Sequence, residues 1–217
     1  MENEELSLIN QATRISYDIV ARKYHDLFKD EMARKKYDRK LLKQFATYFS
    51  RDSIICDMGC GPSAHIGRCL YDKGLNVNAV DISENCIRIA SKYNPGMKFA
   101  CMNMTDLGMG EQSIDGIISF YSIIHTPKKY IHRIFTEFFR VLTPRGKLLV
   151  AVKSGEQEGY LDEFLGFRTK IYFTHFIPEE IQTYFINNGF RILFQESRAP
   201  YQDEIAVSRI YMIGEKI

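Results

Sequence analysis

No apolar run in the 217 residues approaches the ~20 that a membrane-crossing helix needs, which sets membrane-spanning folds aside. A strong charge of either sign is also missing. The formal net charge of +2 is too small to imply a nucleic-acid partner by itself. Cys-x-x-Cys pairs are absent: the five cysteines (56, 60, 69, 86 and 101) are odd in number, crowd into the first half, and have only His65 near any of them. That pattern suits neither a disulfide framework nor a zinc site, so the cysteines read as reduced, mostly buried thiols and no metal is expected. The acidic opening, Met-Glu-Asn-Glu-Glu, lacks the basic start and apolar middle of a secretory signal, and a cytoplasmic protein is expected. There is no internal repeat and no low-complexity stretch.

What is present is the composition of an ordinary globular chain, with 45% hydrophobic and 26% charged residues. The length predicts one domain over 1–217: helices over 1–50, a ligand-binding core over 51–153, and a substrate-side insert with a closing helix and hairpin over 154–217. In the first part, Tyr17, Val20, Tyr24, Leu27 and Phe28 recur at helical spacing, as do Leu41, Leu42, Phe45, Tyr48 and Phe49, with a break near Lys29-Asp30. These helices are expected to pack as a lid or flank. Between Arg22 and Lys43 nine basic residues face four acidic ones, read first as a solvated helix face and second as a surface for an acidic substrate or RNA.

From residue 53 the pattern becomes short apolar runs alternating with helical stretches. Strands are predicted at 53–57, 77–81, 97–101, 115–120 and 146–152, and helices at 63–73, 84–93 and 127–141. Such βαβα order requires a mostly parallel sheet with helices on both faces, a Rossmann-like α/β core. A helix at 178–188, opened by Pro178-Glu179-Glu180 and ended by Asn188-Gly189, leads to strands 190–197 and 205–214, expected to pair as an antiparallel hairpin at the sheet edge. Residues 155–176 show no clean period; they are rich in aromatics and carboxylates, which suggests either a cover for an aromatic or amine-bearing substrate or a core-packing insert.

The most informative stretch is Ser53–Ala64. A buried strand ends at Asp57, Gly59 and Gly61 permit a sharp turn and close approach of a ligand, and Ser63 is placed to cap the next helix. Twenty positions beyond Gly61, a second strand ends on Asp81, which would face the glycine turn and accept the hydroxyls of a ribose. Gly59-x-Gly61-x-x-Ala64 also satisfies a dinucleotide fingerprint, so a nicotinamide-dependent oxidoreductase is an alternative. Against it stand Asp57, a carboxylate where a pyrophosphate would lie, the helices that precede the turn, and the closing hairpin. A carboxylate there suits a ligand bearing an amino group and a sulfonium.

Five segments in order, Ile54–Pro62, Val80–Ser83, Asn103–Leu107, Ser113–Ser119 and Arg140–Leu149, resemble the motifs of class I S-adenosylmethionine-dependent methyltransferases, and more narrowly the small-molecule methyltransferase-domain group. The resemblance spans about residues 14–217. It implies S-adenosyl-L-methionine as cofactor, with S-adenosyl-L-homocysteine as product. It places Asp57, Gly59, Cys60 and Gly61 around the methionine moiety, Asp81 on the ribose, Ile82 on adenine, and Asn103 and Met104 at the adenine edge. The chain departs from the family at Asn103, where aspartate is commoner, at Ser63, where a third glycine is frequent, and at Arg145, which replaces the first of a glycine pair. Tyr17-Asp18-x-x-Ala21-x-x-Tyr24 is similar to a segment that closes over the cofactor, so Tyr17 or Tyr24 is expected to bond the methionine carboxylate.

Phe120, Tyr121 and His125 follow the fourth core strand and should lie near the transferred methyl, where an aromatic face holds the cation. His125 is the first candidate for a general base and Tyr121 the second, although methyl transfer requires none. The Pro-Pro-aromatic sequence of amino-methylating nucleic-acid enzymes is absent here, where Ser119-Phe120-Tyr121-Ser122 stands. A small-molecule acceptor is therefore expected, with RNA as the lesser reading, and a cofactor-binding domain without catalysis as a further alternative.

Overall fold

The computed structural model describes residues 2–217. Its centre is a seven-stranded sheet in the order β3-β2-β1-β4-β5-β9-β8. The strands are β1 (Ile54–Met58), β2 (Asn76–Asp81), β3 (Lys98–Cys101), β4 (Ile114–Phe120), β5 (Leu142–Lys153), β8 (Phe190–Arg198) and β9 (Arg209–Lys216). The first five run parallel, and β9 and β8 add antiparallel. The closing hairpin thus forms as expected, but its second strand, β9, inserts between β5 and β8 and is buried along its whole length.

Chain order reverses between β1 and β4, which opens a crevice at the carboxyl ends of those strands. Asp115 fastens this central pair: its carboxylate accepts from Ile54 N–H of β1 (2.8 Å) and from the Thr143 hydroxyl (3.1 Å).

Helices cover both faces. On one, α6 (Ile131–Val141) buries Ile131, Ile134, Phe135 and Phe138, a helical stripe that packs with Ile181 and Phe185 of α7 (Pro178–Asn187). On the other, Leu42 and Phe45 of α3 (Lys36–Ala46), Leu70 of α4 (His65–Tyr71) and Ala90 of α5 (Glu84–Tyr93) meet Ile55, Val77 and Ile118 of the sheet. Ser83 caps α5 by accepting from Cys86 N–H at 3.0 Å. The helix expected from 127 begins only at Ile131, after two short 3-10 turns at Ile123–His125 and Lys128–Tyr130.

Before the sheet, α1 (Glu2–Phe28) and the single turn α2 (Glu31–Arg34) break where Lys29-Asp30 predicted. The Tyr17–Tyr24 segment docks α1: Asp18 Oδ1 accepts from the Ser83 hydroxyl (2.6 Å) and Asn85 N–H (3.2 Å), and Ala21 packs on Cys86 and Ile89 of α5.

Two local expectations are corrected. Ser63 does not cap α4. Ala64 occupies that position in a left-handed conformation (φ 45°), while the Ser63 hydroxyl turns to His25 Nδ1 at 3.3 Å. Residues 155–176, which showed no period, form a second, two-stranded sheet of β6 (Glu158–Phe164) and β7 (Phe167–Thr174). This hairpin lies against α1, where the Ser16 hydroxyl meets Thr169 Oγ1 (2.8 Å) and donates to the Lys170 carbonyl (3.0 Å). No helix among the described residues is long and apolar enough to cross a membrane.

Candidate functional site

A cavity of about 860 Å³, measured to its open mouth, lies over the carboxyl ends of β1, β2 and β4 and under α1. Its floor is the glycine turn. Gly59 and Gly61 adopt φ of +76° and +61°, and a Cβ on Gly59 would stand 2.3 Å from Ser122 Cβ, so the turn packs on the end of β4 only with glycine there. Cys60, buried between them, also lines the cavity.

Asp57 and Asp81 end adjacent strands and are both buried. Asp57 Oδ2 accepts from Gly67 N–H of α4 (2.9 Å), close enough that a Cβ on Gly67 would lie 2.8 Å from it. Burial, only partly offset by that bond, pushes its carboxyl up to about 7. Asp81 accepts from Gly61 N–H and Ser83 N–H, each at 2.9 Å, so it also holds the glycine turn in shape; burial raises it to about 6. Each carboxylate oxygen keeps a further lone pair for a ligand.

Ile82, Met104 and Phe120 line the same cavity. Asn103 does not. Its Oδ1 accepts from Thr105 N–H (3.0 Å) and the Thr105 hydroxyl (2.9 Å), and Asn10 of α1 donates to that hydroxyl at 3.3 Å. The carbonyl half of this amide is engaged within its own loop, while Nδ2 takes no part in these bonds.

Tyr17 and Tyr24 both face the cavity from α1, and burial raises both phenols, which remain neutral. The Tyr17 hydroxyl meets His125 Nε2 at 2.9 Å, and His125 Nδ1 lies 2.7 Å from the Tyr172 carbonyl of β7. A carbonyl only accepts, so Nδ1 carries the proton and Nε2 accepts from Tyr17. Burial lowers the imidazole to about 4, which keeps it neutral. His125 thereby ties together α1, the end of β4 and the hairpin.

Tyr121 holds a left-handed backbone (φ 52°), uncommon for a bulky residue and found here at the cavity wall. Its hydroxyl lies 3.0 Å from that of Tyr211 on β9, which donates to Asp38 of α3 at 2.6 Å. Sequence reasoning missed this end of the site. Glu31, Lys35, Asp38 and Glu204 line it, and among the basic residues of 22–43 Lys35 alone is buried, with its ammonium 2.8 Å from Glu204. The Arg198 guanidinium joins Glu204 through two bonds of 2.7 and 2.8 Å. Spacing in sequence gives no hint of this cluster, because its members come from α3, β8, β9 and the intervening loop. His65 also lines the cavity, with Nε2 3.2 Å from Glu31.

Residues 55–146 match the family model described as a methyltransferase domain. Solved structures repeat the fold at low identity. A magnesium protoporphyrin IX methyltransferase from Synechocystis with bound S-adenosylhomocysteine is 14% identical, with a TM-score of 0.74 over 96% of this chain and 100% of that one. A SAM-dependent methyltransferase from Methanosarcina mazei is 21% identical (TM-score 0.71, 80% and 96% covered). A 1,6-didemethyltoxoflavin-N1-methyltransferase from Burkholderia thailandensis, with its substrate and S-adenosylhomocysteine, is 13% identical (TM-score 0.64, 90% of each chain). No curated protein sequence matches. Residues 55–146 are thus a methyltransferase domain, and the chain has the fold of S-adenosylmethionine-dependent methyltransferases.

Proposed function

We propose that the protein methylates a small molecule at the end of the cavity beyond Phe120 and Tyr121. The observation that carries this reading is the enclosure of that end by the buried side chains of Lys35, Asp38 and Glu204, from the start of α3 and the loop between β8 and β9. An enclosed wall suits a compact acceptor better than a polynucleotide, which needs an open, basic track. The solved relatives named for toxoflavin and protoporphyrin substrates support the same class. Eight of the nine basic residues of 22–43 are exposed and solvated outside the cavity. The free thiols suit a reducing compartment, and we place the protein in the cytoplasm.

The cofactor supplies an electrophilic methyl on a sulfonium. Asp57 suits its amino group, Asp81 its ribose hydroxyls, and Ile82 with Met104 its adenine; Phe120 presents an aromatic face to the cation. The glycine turn leaves the room these contacts need, since a Cβ on Gly61 would meet nothing nearer than the Tyr24 ring at 3.9 Å. Tyr17 and His125 close α1 over this half and exclude water, so His125 serves closure first and acts as a base only after releasing Tyr17. Replacing His125 with Ala tests that base role: an unaltered rate at saturating acceptor removes it.

Calorimetry tests the cofactor assignment. S-adenosylhomocysteine is expected to bind in the micromolar range and NADH not at all, and the reverse pattern overturns the proposal. Salt-sensitive retention of RNA would move the acceptor from small molecule to nucleic acid.

A further inference from the structure

The hydroxyls of Tyr121 and Tyr211 and the carboxylate of Asp38 form an unbroken line, with steps of 3.0 and 2.6 Å, from one point of the cavity wall through the buried Tyr211 to another. Donor and acceptor roles along it are fixed by chemistry. An ionised Asp38 only accepts, so the single Tyr211 proton is committed to it. Arg198 Nε donates to the same Tyr211 oxygen at 3.0 Å. Tyr121 must then donate to Tyr211, which leaves the Tyr121 oxygen facing the cavity with lone pairs only.

We infer that Asp38 sets, through Tyr211, the hydrogen-bond polarity that Tyr121 presents to the acceptor, and that the enzyme's acceptors carry a hydrogen on the atom to be methylated, an O–H or N–H. This rests on the small-molecule reading above. Methylation of such an atom leaves one proton over. The acceptor's proton passes to the Tyr121 oxygen, the Tyr121 proton to Tyr211, and the Tyr211 proton to Asp38, which ends as a neutral carboxyl while both phenols end as they began. The line then points the other way, with a Tyr121 O–H directed into the cavity, and resets when Asp38, itself on the cavity wall, loses its proton to water.

The neighbours of Asp38 favour it as the terminus. It faces Tyr211 of β9 and Arg198 of β8, feels the charges of Lys35 at the start of α3 and Glu204 of the loop, and is linked through Tyr211 to Tyr121 just after β4. Glu204 resists protonation: although burial opposes ionisation, the bonds from Arg198 and Lys35 hold it at about 2. Asp38, by contrast, is raised by burial despite its bonds to Tyr211 and Arg198. Both phenols are raised by burial and stay neutral donors.

Carbon-13 NMR of protein labelled at tyrosine Cζ tests the coupling, on the full chain with S-adenosylhomocysteine and without it. The Tyr121 and Tyr211 signals are assigned with Tyr121→Phe and Tyr211→Phe. As pH falls through the Asp38 titration, both signals should move with one midpoint. Asp38→Asn should abolish the step in both, and Tyr211→Phe should abolish it in Tyr121. Should Asp38→Asn fail to fold, Tyr211→Phe carries the test. Pyrrole, which donates through N–H and accepts nothing, should bind about tenfold more weakly below the midpoint, whereas furan, its isostere without N–H, should not. A Tyr121 signal that ignores both pH and Tyr211→Phe, or pyrrole and furan responding alike, overturns the inference. Failure of S-adenosylhomocysteine to bind would overturn the cofactor reading instead, with the coupling still read in the free protein.

Discussion

Asp81 has two duties that pull in the same direction. Its carboxylate fixes the glycine turn through Gly61 and Ser83, and in the function proposed above it receives the ribose. Asp81→Asn keeps one acceptor oxygen but loses the charge. Binding of S-adenosylhomocysteine should weaken by about 1–3 kcal/mol, roughly five- to 150-fold, as measured by calorimetry; unchanged affinity would place the ribose elsewhere. Arg145 is a simpler case. It stands where the resembled motif has a glycine, is exposed, and adopts φ 64°. An L-residue pays ~1–2 kcal/mol in that region, while glycine costs ~0.5–1 kcal/mol in unfolded-chain entropy. Arg145→Gly should therefore stabilise the fold by roughly 0.5–1 kcal/mol, seen as a rise in Tm of about 1–4 °C with cofactor affinity untouched.

The strands and helices that build the cradle were legible because each carries its own local signal. β1 and β4 are largely apolar runs buried on both faces, and α5 runs over Glu84–Tyr93, the span predicted for it. The β6–β7 hairpin was not legible, for two physical reasons. β6 is exposed or half-buried throughout, so no alternation of apolar and polar residues marks it. Its two-residue turn is Leu165-Gly166, with φ of 52° and 78°, a type I′ geometry usually written Asn-Gly. The Asp38–Tyr211–Arg198 cluster escaped notice because only tertiary packing unites residues so far apart in sequence. At Asn103, a motif position that reads as an adenine contact, the Oδ1 bonds Thr105 within its own loop.

The same hairpin gives α1 its anchor. Tyr17 bonds His125, and His125 bonds Tyr172 of β7. Tyr17→Phe removes the hydroxyl and leaves the ring packed edge-on against Phe164 at 5.4 Å between centroids. Loss of one buried bond, with Nε2 left unpartnered, costs about 1–3 kcal/mol locally. Amide exchange in the second half of α1 and in β7 should quicken in the cofactor-free protein, while exchange in β1 and β4 stays slow. Equal protection of α1 in both proteins would mean that Asp18 and Ser16 suffice to hold it.

In the glycine-turn half of the cavity lie two buried carboxylates, Asp57 and Asp81, whose ionised forms the fold does not fully support by itself. In the ligand-free protein Asp57 stands at about 7 and Asp81 at about 6, both above the ordinary 3.8. Raised carboxyls bind more protons folded than unfolded, so their contribution to stability falls as pH rises from about 4 to about 7. His125, lowered from 6.5 to about 4, acts in the opposite sense over much of that window. A ligand ammonium beside Asp57 and ribose hydroxyls on Asp81 favour the ionised forms and pull both carboxyls down. S-adenosylhomocysteine binding should therefore release protons, most strongly near pH 6–7, and its affinity should rise with pH through that range and level off above it. Calorimetry at pH 6.5 in two buffers of different ionisation enthalpy reads the release directly, as unequal apparent enthalpies. Asp57→Asn should remove the larger share. Equal enthalpies in the two buffers would mean that the carboxylates are already ionised before the cofactor arrives, and that the glycine turn and its neighbours stabilise their charge unaided.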